Sequence, residues 1–327
     1  MKRAIALLAL VLAVETYAQA DRKCELRQIA QWPLREDHYR PVIDATINGQ
    51  QVGVLIDTGA GTSLIERSAA RKLGLRTMSV RGVRVFGVGG ETQAEEASID
   101  EFKIGDAIYR NFVTLVAGEH ESPGGIALLL GYDFLSQMDV ELDLPQKMMR
   151  LFEPKGCERA FLGYWSSQAV ALPIESAKKL FVTVRINGKP LTAQLDSGTS
   201  LSSLSLEGAL QVGVTTQTAG VVSGGCATGL GRVRVDKWIA PFESFAIGEE
   251  MIRGPKIRFG DLWQHARSEE TGSGIARRLA NLPDMLIGSD FLRAHRVYIA
   301  HSQGKLYFSY VGGTVFPASP GKPCNEL

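Results

Sequence analysis

Charge of one sign is missing from this sequence: 36 lysines and arginines face 35 aspartates and glutamates, for a net of +1. So balanced a chain offers no electrostatic footprint for nucleic acid or anionic lipid. Metal-ligand spacing is missing too. The five histidines (His38, His120, His265, His295, His301) are scattered, and the four cysteines form no close pair. No metal centre and no cofactor are therefore expected. Gly-x-Ser-x-Gly does not occur, which removes the main signature of a serine hydrolase. What is abundant is glycine, at 35 residues, against a usual share of about 7%. Many turns and exposed backbone loops follow, and a helical bundle is excluded. With 45% apolar and 22% charged residues over 327 positions, the chain reads as globular and long enough for two domains.

The N-terminus carries a targeting pattern. Lys2 and Arg3 precede an apolar run from Ala4 to Val14, and Ala18-Gln19-Ala20 supplies small residues for cleavage. That run is too short to span a bilayer. Residues 1–20 read as a signal peptide, and the expected destination is periplasmic or secreted, with no stable membrane insertion after cleavage. Cys24 is a poor lipidation site, because charged Asp21-Arg22-Lys23 precedes it. Export makes disulfides possible. Four cysteines allow three complete pairings. The expectation is one bond among Cys24, Cys157 and Cys324, with Cys226 free in a Gly-rich loop.

The chain is a tandem repeat. Residues 42–57 read VIDATINGQQVGVLID and residues 181–196 read FVTVRINGKPLTAQLD. Ile-Asn-Gly is followed eight residues later by Asp in both. Asn-Gly between alternating apolar runs is a strong hairpin signal. Each half thus opens with a hairpin whose second strand ends in an aspartate, Asp57 or Asp196. Small residues follow both: Thr58-Gly59-Ala60-Gly61-Thr62-Ser63, and Ser197-Gly198-Thr199-Ser200. Ser63 to Leu73 is helix-compatible and stops at Gly74. Gly-rich hairpin tips come next, Phe86-Gly87-Val88-Gly89-Gly90 and Val222-Ser223-Gly224-Gly225-Cys226. Both halves close on matching text, LLLGYDFL at 128–135 and MLIGSDFL at 285–292. Asp133 and Asp290, each after Gly-x, suit a helix N-cap. The second half has gained 18 residues by Gly288, and Arg253–Pro283 is the expected place. Strands are expected after each motif, at Met148–Phe152 and Lys305–Tyr310.

Two symmetry-related aspartates at strand ends suit one kind of chemistry. If Asp57 and Asp196 come within hydrogen-bonding distance, they cannot comfortably ionise together, and the pair holds one proton over an intermediate pH range. The ionised member can take a proton from water while its partner polarises a carbonyl. Gly59 and Gly198 allow tight turns with exposed amides, and the hydroxyls of Thr58 and Ser197 can reach the facing lobe. A Thr199 hydroxyl, which Ala60 cannot match, is expected to favour ionised Asp196 and leave the proton on Asp57.

Hydrophobic-hydrophobic-Asp-(Thr/Ser)-Gly followed by hydrophobic-hydrophobic-Gly resembles the retropepsin-like aspartic proteases found among secreted bacterial proteins. Val54-Leu55-Ile56-Asp57-Thr58-Gly59-Ala60 is similar to the retropepsin motif, and Ala193–Ser200 to the second motif of pepsin-like enzymes. Phe86–Gly90 resembles a retropepsin flap. The chain departs from the pattern at Gln194, where an apolar residue is commoner, at the Cys226-bearing second flap, and in the second-half insertion. The resemblance implies a mainly β fold with short helices and two pseudo-symmetric acid-protease lobes. It places lobe 1 at residues 40–153 and lobe 2 at 178–312, joined by a linker at 154–177. An N-terminal segment at 21–39 and a C-terminal tail at 313–327 flank them. It implies an aspartic endopeptidase acting on polypeptide, with Asp57 and Asp196 as the catalytic pair. Thr58, Gly59, Ser197, Gly198 and Thr199 would support them, and Phe86, Gly87, Val88, Gly89, Gly90, Gly224 and Gly225 would form the flaps. Both half-sites lie in one chain, so a monomer suffices. The alternative is a catalytically inactive retropepsin-fold protein that binds or scaffolds peptides.

Overall fold

A computed structural model describes residues 23–118, 120–122, 124–175, 179–263, 269–270, 276–277 and 282–326. The expected signal segment 1–20 lies outside the described residues, as do residues 176–178, where the expected linker gives way to the second lobe, and most of the stretch between Trp263 and Leu282.

The chain folds into mainly β structure, with four short α-helices among the described residues. Each repeat opens as the spacing predicts. Arg40–Ile47 pairs antiparallel with Gln50–Ile56, and Phe181–Ile186 with Lys189–Leu195. The turns have positive φ, 48° and 79° at Asn48 and Gly49, 50° and 76° at Asn187 and Gly188. Asparagine and glycine tolerate that conformation, and it matches the strand twist. The asparagines do more than turn the chain. Asn48 Oδ1 accepts from the Glu101 amide and Asn187 Oδ1 from the Glu243 amide, docking each turn onto a neighbouring strand or loop.

Each aspartate-bearing strand runs parallel to the strand that enters the closing motif, Gln50–Ile56 beside Ile126–Leu130 and Lys189–Leu195 beside Met285–Ile287. A three-residue strand then inserts on the far side, Leu64–Glu66 or Ser203–Ser205. This shortens the helix expected from Ser63. It begins only at Arg67, because Leu64–Glu66 is drawn between Leu115–Ala117 and Leu128–Leu129. Its end at Gly74, with φ 67°, is as expected.

Symmetry also narrows the insertion. Glu66 and Ala117 are partners in the first lobe, as Ser205 and Gly260 are in the second. The offset between the halves is therefore 260 − 117 = 143 at this point, against 139 at the aspartate motifs. Lys256–Gly260 is a repeat strand and not inserted material. Of the 18 extra residues, 14 fall between Gly260 and Gly288.

Among the described residues the first lobe holds an eight-stranded sheet and the second a nine-stranded one. A third sheet takes strands from both repeats, in the order Glu25–Pro33, Met148–Lys155, Asp139–Asp143, His295–Ala300, Lys305–Tyr310, Val170–Pro173. At its centre Val140–Asp143 pairs with Arg296–Ile299, one strand from each half. One buried apolar cluster runs through all three, including Ile47, Leu128, Leu142, Val184, Ile257 and Val297. The halves therefore share a core.

The expectation of a free Cys226 is overturned. Two disulfides form, Cys24–Cys157 and Cys226–Cys324, with Cα–Cα distances of 4.5 and 4.8 Å. The C-terminal tail returns along the strand Val222–Ala227. Ser223 Oγ donates to the Gly321 carbonyl, and the Cys324 amide donates to Asp236 Oδ1, which brings Cys324 onto Cys226. No helix among the described residues is long and apolar enough to cross a membrane. The two disulfides point to an oxidising, exported setting.

The cross-links span 133 and 98 residues, and loops of that length stabilise a fold by about 2–5 kcal/mol each. Reduction should lower the urea midpoint accordingly, while thiol titration of the unreduced, denatured protein should find no free cysteine.

Candidate active site

Asp57 and Asp196 each stand one residue beyond a buried strand. Their amides donate to the carbonyls of Leu130 and Ile287, at 3.0 and 2.8 Å, which fixes both at the strand ends. Each carboxylate is then turned by its own loop. Asp57 Oδ1 accepts from the Gly59 and Ala60 amides at 3.0 Å, and Asp196 Oδ1 from Gly198 and Thr199 at 3.0 and 3.1 Å. The two carboxyl groups hydrogen-bond to one another. They approach over the glycines of the opposite motif. A Cβ on Gly59 would lie 2.4 Å from Asp196 Cγ, and one on Gly198 2.4 Å from Asp57 Cγ. Glycine is required here by close approach, since any side chain would collide with the facing carboxyl group.

Thr58 and Ser197 lock the loops together. Thr58 Oγ1 donates to the Leu195 carbonyl at 2.9 Å and accepts from the Ser197 amide at 2.9 Å. Reciprocally, Ser197 Oγ donates to the Ile56 carbonyl at 2.6 Å and accepts from the Thr58 amide at 3.0 Å. Both residues are buried. Each hydroxyl thus satisfies a donor and an acceptor of the other lobe.

Burial raises the pKa of Asp57 and takes that of Asp196 well above the ordinary carboxylate range, with the charge of Asp57 adding to the rise at Asp196. The loop amides oppose the shift without cancelling it. The asymmetry expected from Thr199 is not present, because Thr199 supplies its backbone amide as Ala60 does. The charge of Arg40 lends ionised Asp57 a minor support, and which carboxyl group carries a shared proton is a property of the pair.

The closing motifs hold the loops from behind. Ser63 donates its amide and hydroxyl to Asp133, and the Gly131 amide donates back to Ser63 Oγ. Ser202, Asp290 and Gly288 repeat the arrangement. Asp133 and Asp290 are therefore not N-caps; Gly131 and Gly288 occupy those positions. The helices are a single turn long, and their aspartates serve the loop amides of Ser63 and Ser202. Asp290 is buried, which pushes its pKa up to about 6 against the hydrogen bonds from Ser202.

Gln194 and Ser289 were not among the expected site residues. Gln194 Nε2 donates to the Gly59 carbonyl at 3.0 Å, and Ser289 Oγ to the Ser197 carbonyl at 2.9 Å. A polar side chain inside an apolar strand was the signal for Gln194; nothing marked Ser289.

The first hairpin tip lies where expected, with Gly87 opposite Gly90 and φ 83° at Gly89. It meets the second lobe directly. The Gly231 amide donates to the Val88 carbonyl at 3.2 Å, and the Val233 amide to the Gly89 carbonyl at 3.1 Å. Val88 also packs on Leu262, Trp263 and Leu286. Phe86 pairs with Glu91 behind the tip. Gly224 and Gly225 are placed differently. They lie inside the strand Val222–Ala227 at an irregularity in its pairing, beside Gly321 of the tail. The loop of that hairpin falls at residues 228–234.

The aspartyl protease family model matches residues 43–134 and 182–291, so that each repeat carries one match. The chain belongs to the aspartyl protease family. The matched ranges contain both aspartates and both closing motifs. Solved structures similar to this chain include an aspartic proteinase from Irpex lacteus, 12% identical, covering 89% of this chain and 99% of that one at a TM-score of 0.49. Another is a retropepsin-like aspartic protease from Rickettsia conorii, 20% identical, covering 40% of this chain and 95% of that one at a TM-score of 0.28. An uncharacterized protein in the cobV 5' region of a Sinorhizobium species is 31% identical over 97 residues, 29% of this chain. The chain spans 40% of that relative's length. Membership of the family and the β fold support a peptidase-like function.

Thr58→Val keeps the shape of the side chain but leaves the Leu195 carbonyl and the Ser197 amide without partners, at about 1–3 kcal/mol each. Urea unfolding should register a loss on the order of 2–5 kcal/mol; a loss well below about 1 kcal/mol would contradict the reciprocal bonding.

Proposed function

We propose that this protein is an exported, single-chain aspartic endopeptidase whose catalytic pair is Asp57 and Asp196. The observation that carries the reading is the pair itself: two half-buried carboxyl groups, one from each repeat, hydrogen-bonded to each other and served by matching loop amides.

The reaction follows from one shared proton. Ionised Asp57 accepts a proton from water as the oxygen attacks the peptide carbonyl carbon. Asp196 gives its proton to the carbonyl oxygen, so that a neutral gem-diol forms. On collapse, the C–N bond breaks, the amine nitrogen takes the proton held by Asp57, and a hydroxyl proton returns to Asp196. Acid, amine and the starting protonation state result. No metal or covalent intermediate enters. Extended polypeptide would lie between the lobes beneath the hairpin tips and pair with strand edges. Both half-sites lie in one chain, so a monomer completes the site. The basic, apolar and small-residue segments of residues 1–20 support export to the periplasm or beyond.

The rate should follow a bell-shaped pH profile. Its acid limb appears as Asp57 becomes protonated, and its basic limb as Asp196 loses the shared proton. Asp57→Asn and Asp196→Asn should each lower kcat by about 10²-fold or more. Folded wild-type protein inactive on peptides from pH 3 to 8 would overturn the reading.

Stability gives a second test. A folded pKa raised above the unfolded one means that the native state binds protons more tightly. Its stability is then greatest in acid and falls as pH rises from about 4 through the folded pKa. Asp196→Asn abolishes that loss. The variant should be more stable than wild type at pH 7, with the advantage gone at pH 3, as read by thermal unfolding at both pH values.

A further inference from the structure

Lys237 is buried in the second lobe, and among the described residues its hydrogen bond goes to a hydroxyl, Ser203 Oγ at 3.3 Å. Two charged groups act on it, Asp261, which favours the ammonium, and Arg258, which opposes it. Burial outweighs both and pushes its pKa down to about 7. An ammonium so held is costly unless a counter-charge completes its environment.

The strand registers show which way this lysine faces. Lys237 is opposite Gly260, and a Cβ on Gly260 would lie 2.8 Å from Lys237 Cδ, so the lysine stem covers that glycine. Gly260 is level with Ser205, and Ser203, two residues back on the same face, is opposite Leu286. Leu286 is level with Gln194, whose amide reaches the Gly59 carbonyl in the first aspartate loop. Lys237, Ser203, Leu286 and Gln194 therefore share the sheet face that meets the aspartate pair. The same Leu286 packs with Trp263 beneath Val88 of the hairpin tip.

The first lobe provides the comparison. The matching positions are Leu64 for Ser203, Leu129 for Leu286 and Ala94 for Lys237, by the pairing of Leu64 with Leu129 and the register that sets Glu95 opposite Val116. An apolar wall in one lobe is thus answered in the other by an ammonium and a hydroxyl beside one leucine. Fold symmetry does not demand this difference, and a buried carboxylate-binding pair has the chemistry to exploit it.

Resting on the peptidase reading, we propose that Lys237 and Ser203 form the floor of a substrate position on the second lobe that takes an acidic side chain. The enzyme then prefers peptides with glutamate or aspartate at one position beside the scissile bond. In the empty protein Val88 packs on the cluster of Leu262, Trp263 and Leu286 beside this floor, and a peptide side chain enters there when the tips part.

The test uses the full chain and matched peptides differing only in Glu or Gln at each position flanking the cleaved bond. At one position, near pH 5.5, Glu should raise kcat/KM on the order of tenfold or more. That ratio should fall above pH 7 as Lys237 loses its proton, and below about pH 4 as the peptide carboxyl gains one. Lys237→Met should bring the ratio to about one. A wild-type ratio near one at every position, or a preference that survives in Lys237→Met, overturns the proposal. If that variant does not fold, a wild-type Glu/Gln ratio constant from pH 5 to 9 overturns it equally. Absence of turnover on every peptide overturns the peptidase reading instead; fluorescence anisotropy with the Glu and Gln peptides then decides the carboxylate site alone, equal binding refuting it.

Discussion

Two carboxyl groups facing each other away from water can hold one negative charge comfortably and two only at great cost. Much of the surrounding architecture serves to keep Asp57 and Asp196 in that position. Their amides hang from the buried strands at Leu130 and Ile287, their oxygens from the loop amides of Gly59, Ala60, Gly198 and Thr199. Thr58 and Ser197 tie the loops across the lobes. Behind them, Ser63 with Asp133 and Ser202 with Asp290 hold each loop to its closing motif. Neither lobe makes the site alone, because each hydroxyl finds its partners in the other.

The symmetry is good at the centre and fails outward. At the aspartates the halves match bond for bond. At the next layer Gln194 crosses to Gly59 from one side alone. Farther out, Leu64, Ala94 and Leu129 of the first lobe correspond to Ser203, Lys237 and Leu286 of the second. This ordering has a physical basis. The proposed sharing of a proton calls for equivalent geometry at the pair, whereas the proposed peptide substrate, with a direction and a sequence, calls for differing walls.

Much of the frame was legible in the residues. Asn-Gly at a fixed distance from aspartate marked the hairpins, because few other residues take positive φ at both turn positions. Duplicated Asp-(Thr/Ser)-Gly with a later apolar-apolar-Gly marked the pair and its support. What could not be read depends on contacts between distant segments. Leu64–Glu66 has the look of a helix start and becomes a strand because two neighbours claim its backbone. Cys226 looked free because nothing local brings residue 324 beside it. The second hairpin's glycines marked a kink against the tail, while its loop formed farther along, at residues 228–234.

By itself the sequence determined the duplication, the two aspartates, the small residues that let them meet, and the balance of charge. These are properties of composition and short-range spacing. The tertiary structure decided how the cysteines pair and which face Lys237 occupies. Each of those turns on distances between groups remote in the chain, of which local pattern carries no record.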